Sequence, residues 1–131
     1  MSPGTTVQTG VPSHIEITET LLRLYVFLAQ YLDRCLDETL GRSLQEADLQ
    51  AHLLATRKSV MEMLAVNRVV KGKVEHECER ILELAATCLR DRQNGRTIDG
   101  DHRADLLKAE RAMLKNKTIA LSDLLAVFRA M

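Results

Sequence analysis

The residues most able to take part in catalysis or metal binding form the run Glu75-His76-Glu77-Cys78-Glu79, which combines imidazole, thiol and carboxylate groups. Such groups can bind a metal ion when several of them converge. At helical spacing, however, His76 lies beside Glu79, whereas Cys78 points toward a different face. Di-iron bundles use paired Glu-x-x-His motifs, but the residue three positions before His76 is Lys73. The pattern therefore predicts a solvated, charged helix face and no metal site.

A second candidate is the loop-like stretch Asp99-Gly100-Asp101-His102, which lacks the twelve-residue spacing of a calcium loop. It predicts a turn followed by a helix cap. The basic residues of 90–96, together with His102, resemble the Arg and His set that helical ribonucleases place on one helix. That resemblance would imply RNA cleavage, but Gly95 and Gly100 interrupt the stretch. The sequence also lacks phosphate-loop, dinucleotide-binding, serine-hydrolase and zinc-protease motifs, so it predicts no enzyme and no cofactor.

The cysteines Cys35, Cys78 and Cys88 are odd in number and form no Cys-x-x-Cys motif. They predict buried free thiols in a reducing compartment. The first twelve residues lack the basic and apolar regions of a signal peptide. An apolar belt at Leu21–Leu32 is shorter than the roughly 20 residues needed to span a bilayer. We therefore expect a cytoplasmic protein without membrane insertion.

The elements that must position these residues are predicted to be helices only. Both prolines lie within residues 1–12, which we interpret as a flexible arm, and no period-two apolar pattern indicates a strand. Residues 13–131 are predicted to form one helical domain. Ser13 and Glu16 form a capping box that starts a first helix running from His14 to about Leu40. Gly41 is expected to end that helix.

A second capping box, Ser43 to Glu46, predicts the start of a central helix. Its apolar stripe passes through Gly72 without losing phase, and two interpretations remain open. Either Gly72 ends the helix, or residues 44–92 form one very long helix with a weak point there. We favour the continuous helix, because no typical loop residue flanks Gly72.

Residues 93–95 predict a helix end, and Asp99 or Asp101 is expected to cap the last helix. Thr118 could start a separate final segment as an internal cap. Together these elements predict an all-α fold, an antiparallel bundle of three or four helices.

The belt between Leu21 and Leu32 is apolar around most of its circumference, so it must be covered on most sides. A central helix of about 50 residues would also extend beyond its neighbours in the same chain. Both features predict a homodimer or an obligate protein partner. The residues expected to anchor that contact are Leu24, Tyr25, Phe27 and Tyr31.

The sequence thus favours a non-enzymatic interaction module, such as an adaptor, secretion-type chaperone, anti-activator or assembly subunit, that buries an apolar segment of a partner. It is similar to small helical export chaperones in size and pattern, but shares no motif with them. The alternative is a helical nucleic-acid-associated regulator, although the net charge of zero argues against it. Its contacts would come from basic ridges, namely Arg68, Lys71, Lys73, Lys108, Arg111 and Lys115.

Overall fold

The computed structural model describes residues 13–131, and the arm predicted for residues 1–12 lies outside this range. The described chain is all-α, which confirms the predicted fold class. Its five helices are α1 (His14–Cys35), α2 (Glu38–Ser43), α3 (Glu46–Ala65), α4 (Arg68–Gln93) and α5 (His102–Ala130).

The first helix starts as predicted, since the Ser13 hydroxyl accepts a hydrogen bond from the Glu16 backbone NH at 3.1 Å. Its predicted end near Leu40 is wrong. The α1 helix ends at Cys35, and the Asp37 side chain accepts from the Thr39 backbone NH to start the short α2. The side chain of Asp37 therefore competes with helix continuation and turns the chain.

The prediction that Gly41 ends a helix is also wrong. Gly41 lies inside α2, is buried, and does not adopt a positive φ. A Cβ atom built there would lie 2.4 Å from the Cβ of Arg92. The glycine is therefore needed for the close approach of α2 to α4. The second capping box does not form either, because α3 begins at Glu46 and Gln45 precedes it without a side-chain cap.

The long central helix does not exist, and Gly72 is not where the chain turns. The break lies at Asn67, whose side-chain oxygen accepts from the backbone NH groups of Val69 and Val70. This double cap starts α4 and reverses the chain, so α3 and α4 form a helical hairpin. Gly72 is an exposed residue within α4, and a Cβ atom added to it would meet no non-local atom within 4 Å.

The last two boundaries agree with the predicted local signals. Gly95 follows α4 with a φ of 87°, a conformation that favours glycine after a helix. The Asp101 side chain caps α5 by accepting from the Arg103 backbone NH at 2.9 Å. No break occurs at Thr118, whose hydroxyl instead donates to the Leu114 carbonyl oxygen within a continuous helix.

Ion pairs show how the helices run. Glu19 near the start of α1 pairs with Arg129 near the end of α5, whereas Asp33 near the end of α1 pairs with Lys115. These two helices are therefore antiparallel. The α1 helix also contacts α3 and α4, and leucines of all four long helices meet in one core. Those with no exposed surface are Leu24, Leu28, Leu32, Leu49, Leu64, Leu89 and Leu107.

Candidate functional site

The structure separates the members of the run at residues 75–79. The His76 side chain is fully exposed and lies 3.9 Å from a Glu79 oxygen, whereas Cys78 is buried in the core on another face. Across residues 13–131, no three His, Cys, Asp or Glu side chains converge so that they could hold a metal ion. What the run provides instead is ion pairs between helices, such as Glu77 with Lys117 at 3.1 Å.

All three cysteines are free and buried. Burial raises the pKa of Cys35 and of Cys78 to about 12, and that of Cys88 to about 11. Because the thiolate is the nucleophile and the metal ligand, these thiols are chemically quiet at neutral pH. They act as small apolar side chains of the core.

The basic stretch that resembles a ribonuclease site serves a structural purpose. Arg92 is only 1% exposed, and its guanidinium donates to the Asp101 carboxylate at the start of α5. Asp91 accepts from Arg103 at 3.2 Å and also lies 3.8 Å from Arg96. These pairs join the end of α4 to the start of α5 across the intervening loop.

The apolar belt of α1 is covered by the chain itself. Leu24, Tyr25 and Tyr31 are buried, and Phe27 is half-buried against the same core. The neighbouring helices α3, α4 and α5 therefore supply the cover that the belt requires. The predicted role of these residues in partner binding stays a prediction, and their burial explains the belt without a second chain.

The two tyrosines of the belt have different surroundings. The Tyr25 hydroxyl donates to Glu77 at 3.2 Å, and the Lys117 ammonium lies 5.3 Å from the centre of its ring. Tyr31 stacks on His52, with ring centres 5.6 Å apart, and borders a cleft between α3 and α4. Among the described residues, its hydroxyl makes no hydrogen bond of ordinary geometry, although the Cys35 thiol and the Thr56 hydroxyl lie near it.

This difference predicts opposite effects of removing each hydroxyl. Tyr25→Phe should lower the free energy of unfolding by about 1 to 2 kcal/mol, because it removes a hydrogen bond to a charged group. Tyr31→Phe should leave stability unchanged or raise it by up to about 1 kcal/mol, because a buried hydroxyl without a partner costs desolvation energy. Urea unfolding of both variants measures the difference, and a larger loss for Tyr31→Phe would contradict it.

The basic residues proposed for nucleic-acid contact are partly neutralised. Arg111 and Lys115 both pair with Asp33, at 3.4 and 3.2 Å. Lys108 lies 3.8 Å from the Asp105 carboxylate, and Lys71 lies 3.9 Å from that of Glu75. Arg68 and Lys73 are exposed. These acidic partners weaken the positive potential that a phosphate-binding ridge requires, and the nucleic-acid role stays a prediction.

An apolar stripe along α5, divided near its middle by Asn116 and Lys117, is exposed in the described chain. Its members lie within about 60° of one another around the helix, at 100° per residue. They point about 120° away from the residues that α5 buries in the core, such as Leu107 and Leu114. The α5 stripe consists of Leu106, Ala109, Met113, Ala120, Leu124, Val127 and the adjoining Met131, all of which are exposed.

A sequence signal for this stripe exists but was missed. Between Ile119 and Phe128, Asp123 is the only charged residue, so this segment is as apolar around its circumference as the belt of α1. The difference is in the cover, because only Leu125 of this segment is buried. The argument made for the belt therefore applies to the end of α5.

Comparisons with protein-family models, with curated proteins and with solved structures found no match to this chain. Within residues 13–131, no helix is both long enough and apolar enough to cross a membrane.

Proposed function

We propose that this protein is a non-enzymatic helical interaction module that binds an apolar helix of another polypeptide on the α5 stripe. The four long helices would form the bundle that holds α5 in place, with α2 closing one end. The observation that carries the proposal is the exposure of large apolar side chains on one face. Leu124 is 42% exposed, Met113 is 51% exposed and Val127 is 56% exposed.

Exposed apolar residues aligned on one helix face are more typical of a docking surface than of scattered apolar residues on a protein surface. Single exposed apolar residues are normal, but contiguous apolar patches on soluble domains commonly mark interaction sites. Residues repeating at three, four and seven positions form a ridge into which a second helix packs. The alternation of Leu, Met and Val with Ala109 and Ala120 lets another helix approach closely at the alanines.

The proposal predicts that one charge on the stripe abolishes binding. Leu124→Lys should reduce partner retention at least about tenfold, since burying an unpaired ammonium costs well over 1.4 kcal/mol. Leucine and lysine have similar helix propensities and Leu124 lies on the open face of α5, so the fold should be preserved. Ala126→Lys is the matched control, because Ala126 is exposed in the same turn but lies outside the stripe.

Affinity capture from extracts of the source cells, with quantitative mass spectrometry, measures this effect. A differently tagged copy of the chain should be included, so that self-binding is also detected. Proteins that wild type and Ala126→Lys retain, but Leu124→Lys does not, would support the proposal. If no retained protein depends on Leu124, the stripe is not the docking surface.

A further inference from the structure

Four of the five large residues in the α5 stripe are spaced symmetrically, and the exception is Val127, whose symmetric counterpart is Glu110. Leu106 and Met113 are seven residues apart, Met113 and Leu124 are eleven apart, and Leu124 and Met131 are again seven apart. A two-fold rotation perpendicular to the helix axis therefore places Leu106 on the position of Met131, and Leu124 on the position of Met113. A two-fold interface requires a surface that is complementary to itself in this way.

We infer that the occupant of the α5 stripe is α5 of a second copy, packed antiparallel on a two-fold axis that passes between Thr118 and Ile119. This inference rests on the proposed function and names its partner. In this register Leu106 faces Met131 of the second copy, and Met113 faces its Leu124. Every large residue of this symmetric set then meets a large apolar residue, whereas Val127 faces Glu110 of the second copy, whose carboxylate pairs with Arg80 of its own chain.

The charges near the axis are compatible with this pairing. Lys117 lies next to the axis, and in this register it faces Ala120 of the second copy. Its ammonium is 3.1 Å from the Glu77 carboxylate and sits over the Tyr25 ring. The two-fold axis therefore does not bring two uncompensated cations together. The small Ala120 side chain leaves room for the close approach of the two helices.

The size of the stripe sets the expected strength. From Leu106 to Met131 the stripe is roughly 38 Å long, at 1.5 Å per residue. With a helix about 10 Å wide, the pair would cover about 800 Å² in total, below the roughly 1,200 Å² of stable interfaces. We therefore expect a weak, concentration-dependent dimer and not a permanent one, with a Kd of about 10–100 µM.

Cysteine cross-linking tests the register directly. Met113→Cys and Leu124→Cys proteins, carrying different tags, are mixed at about 200 µM, above the expected Kd, and mildly oxidised. The antiparallel register places these two positions opposite each other. The two copies of residue 113 are instead separated by about 16 Å along the helix axis. The mixed disulfide should exceed either self-disulfide at least tenfold. Wild type is the control, since its three cysteines are buried.

Each outcome of this experiment decides the inference. A dominant self-disulfide of Met113→Cys would indicate parallel pairing and overturn the proposed register. No disulfide in the mixture, together with a monomer mass by sedimentation at the same concentration, would overturn self-pairing. If capture of a different protein still depended on Leu124, the proposed function would stand while this inference failed.

Discussion

Replacing Gly41 with alanine is expected to destabilise the protein by about 3 kcal/mol or more, since the added methyl overpacks a closed contact. The new Cβ would lie 2.4 Å from the Cβ of Arg92 and 2.9 Å from the Leu89 carbonyl oxygen. Neither neighbour is the free end of a flexible side chain, so α2 must move away from α4. Urea unfolding, or a fall in Tm of roughly 10 °C, would show the loss.

Gly72→Ala is the matched control, because it adds the same methyl group within a helix. No non-local atom lies within 4 Å of its Cβ position, and Gly72 is exposed. Alanine should therefore stabilise α4 by about 0.5 to 1 kcal/mol through its higher helix propensity. Equal effects of the two substitutions would mean that the contact between Gly41 and Arg92 is not closely packed.

Asp101→Asn is expected to cost about 3 to 5 kcal/mol at pH 7, because it leaves the buried Arg92 guanidinium without its carboxylate. Asparagine caps helices as well as aspartate does, so the start of α5 should not change. The loss then reports the buried charge rather than the cap. Asp37→Asn, at the exposed cap of α2, should change stability little.

The double variant Arg92→Met with Asp101→Asn separates the charge from the packing. Methionine removes the buried cation while filling much of the same space, so it should recover most of the stability lost in Asp101→Asn. The coupling between the two positions is obtained from the double-mutant cycle. A single variant Asp101→Asn within about 1 kcal/mol of wild type at pH 7 would contradict the argument.

The same pair predicts a pH dependence. Burial by itself raises the pKa of Asp101, but the Arg92 guanidinium and the backbone NH groups of Arg103 and Ala104 outweigh it and hold the pKa below its usual value. The ionised carboxylate therefore stabilises the fold above the ordinary Asp pKa of about 3.9, and this stabilisation is lost as the pH falls through the lower folded value. The difference between wild type and Asp101→Asn should shrink between pH 5 and pH 2, measured by urea unfolding across that range.

The two apolar segments of this chain differ in burial, and the proposed function rests on that difference. The belt of α1 and the end of α5 have similar sequence character, yet the fold covers the first and leaves the second open. When a second helix covers an apolar helix face that its own chain leaves exposed, apolar surface is removed from water, which favours association. This places the proposed docking surface on α5 rather than on Leu24, Tyr25 and Tyr31.

Local sequence signals were sufficient to predict where several helices start or end. The Ser13 cap, the glycine stop at Gly95 and the Asp101 cap are recognisable because each depends on residues within four positions of one another. The absence of proline after residue 12 and the helical apolar spacing were enough to predict an all-α fold. Asn67 carries a similar local signal, but the apolar stripe that stays in phase through Gly72 predicts a continuous helix instead.

What depended on distant residues could only be decided by the tertiary structure. Gly41 looks like a helix end in sequence, but its role follows from Arg92, which lies 51 positions away. The burial of Arg92 with Asp101, and the cover over the α1 belt, likewise depend on which helices pack together. The sequence by itself determined that the chain folds into helices and which faces of them are apolar, because these are properties of short windows. Which of those faces stays open is a property of the whole packing, since a face is exposed only when no other part of the chain reaches it.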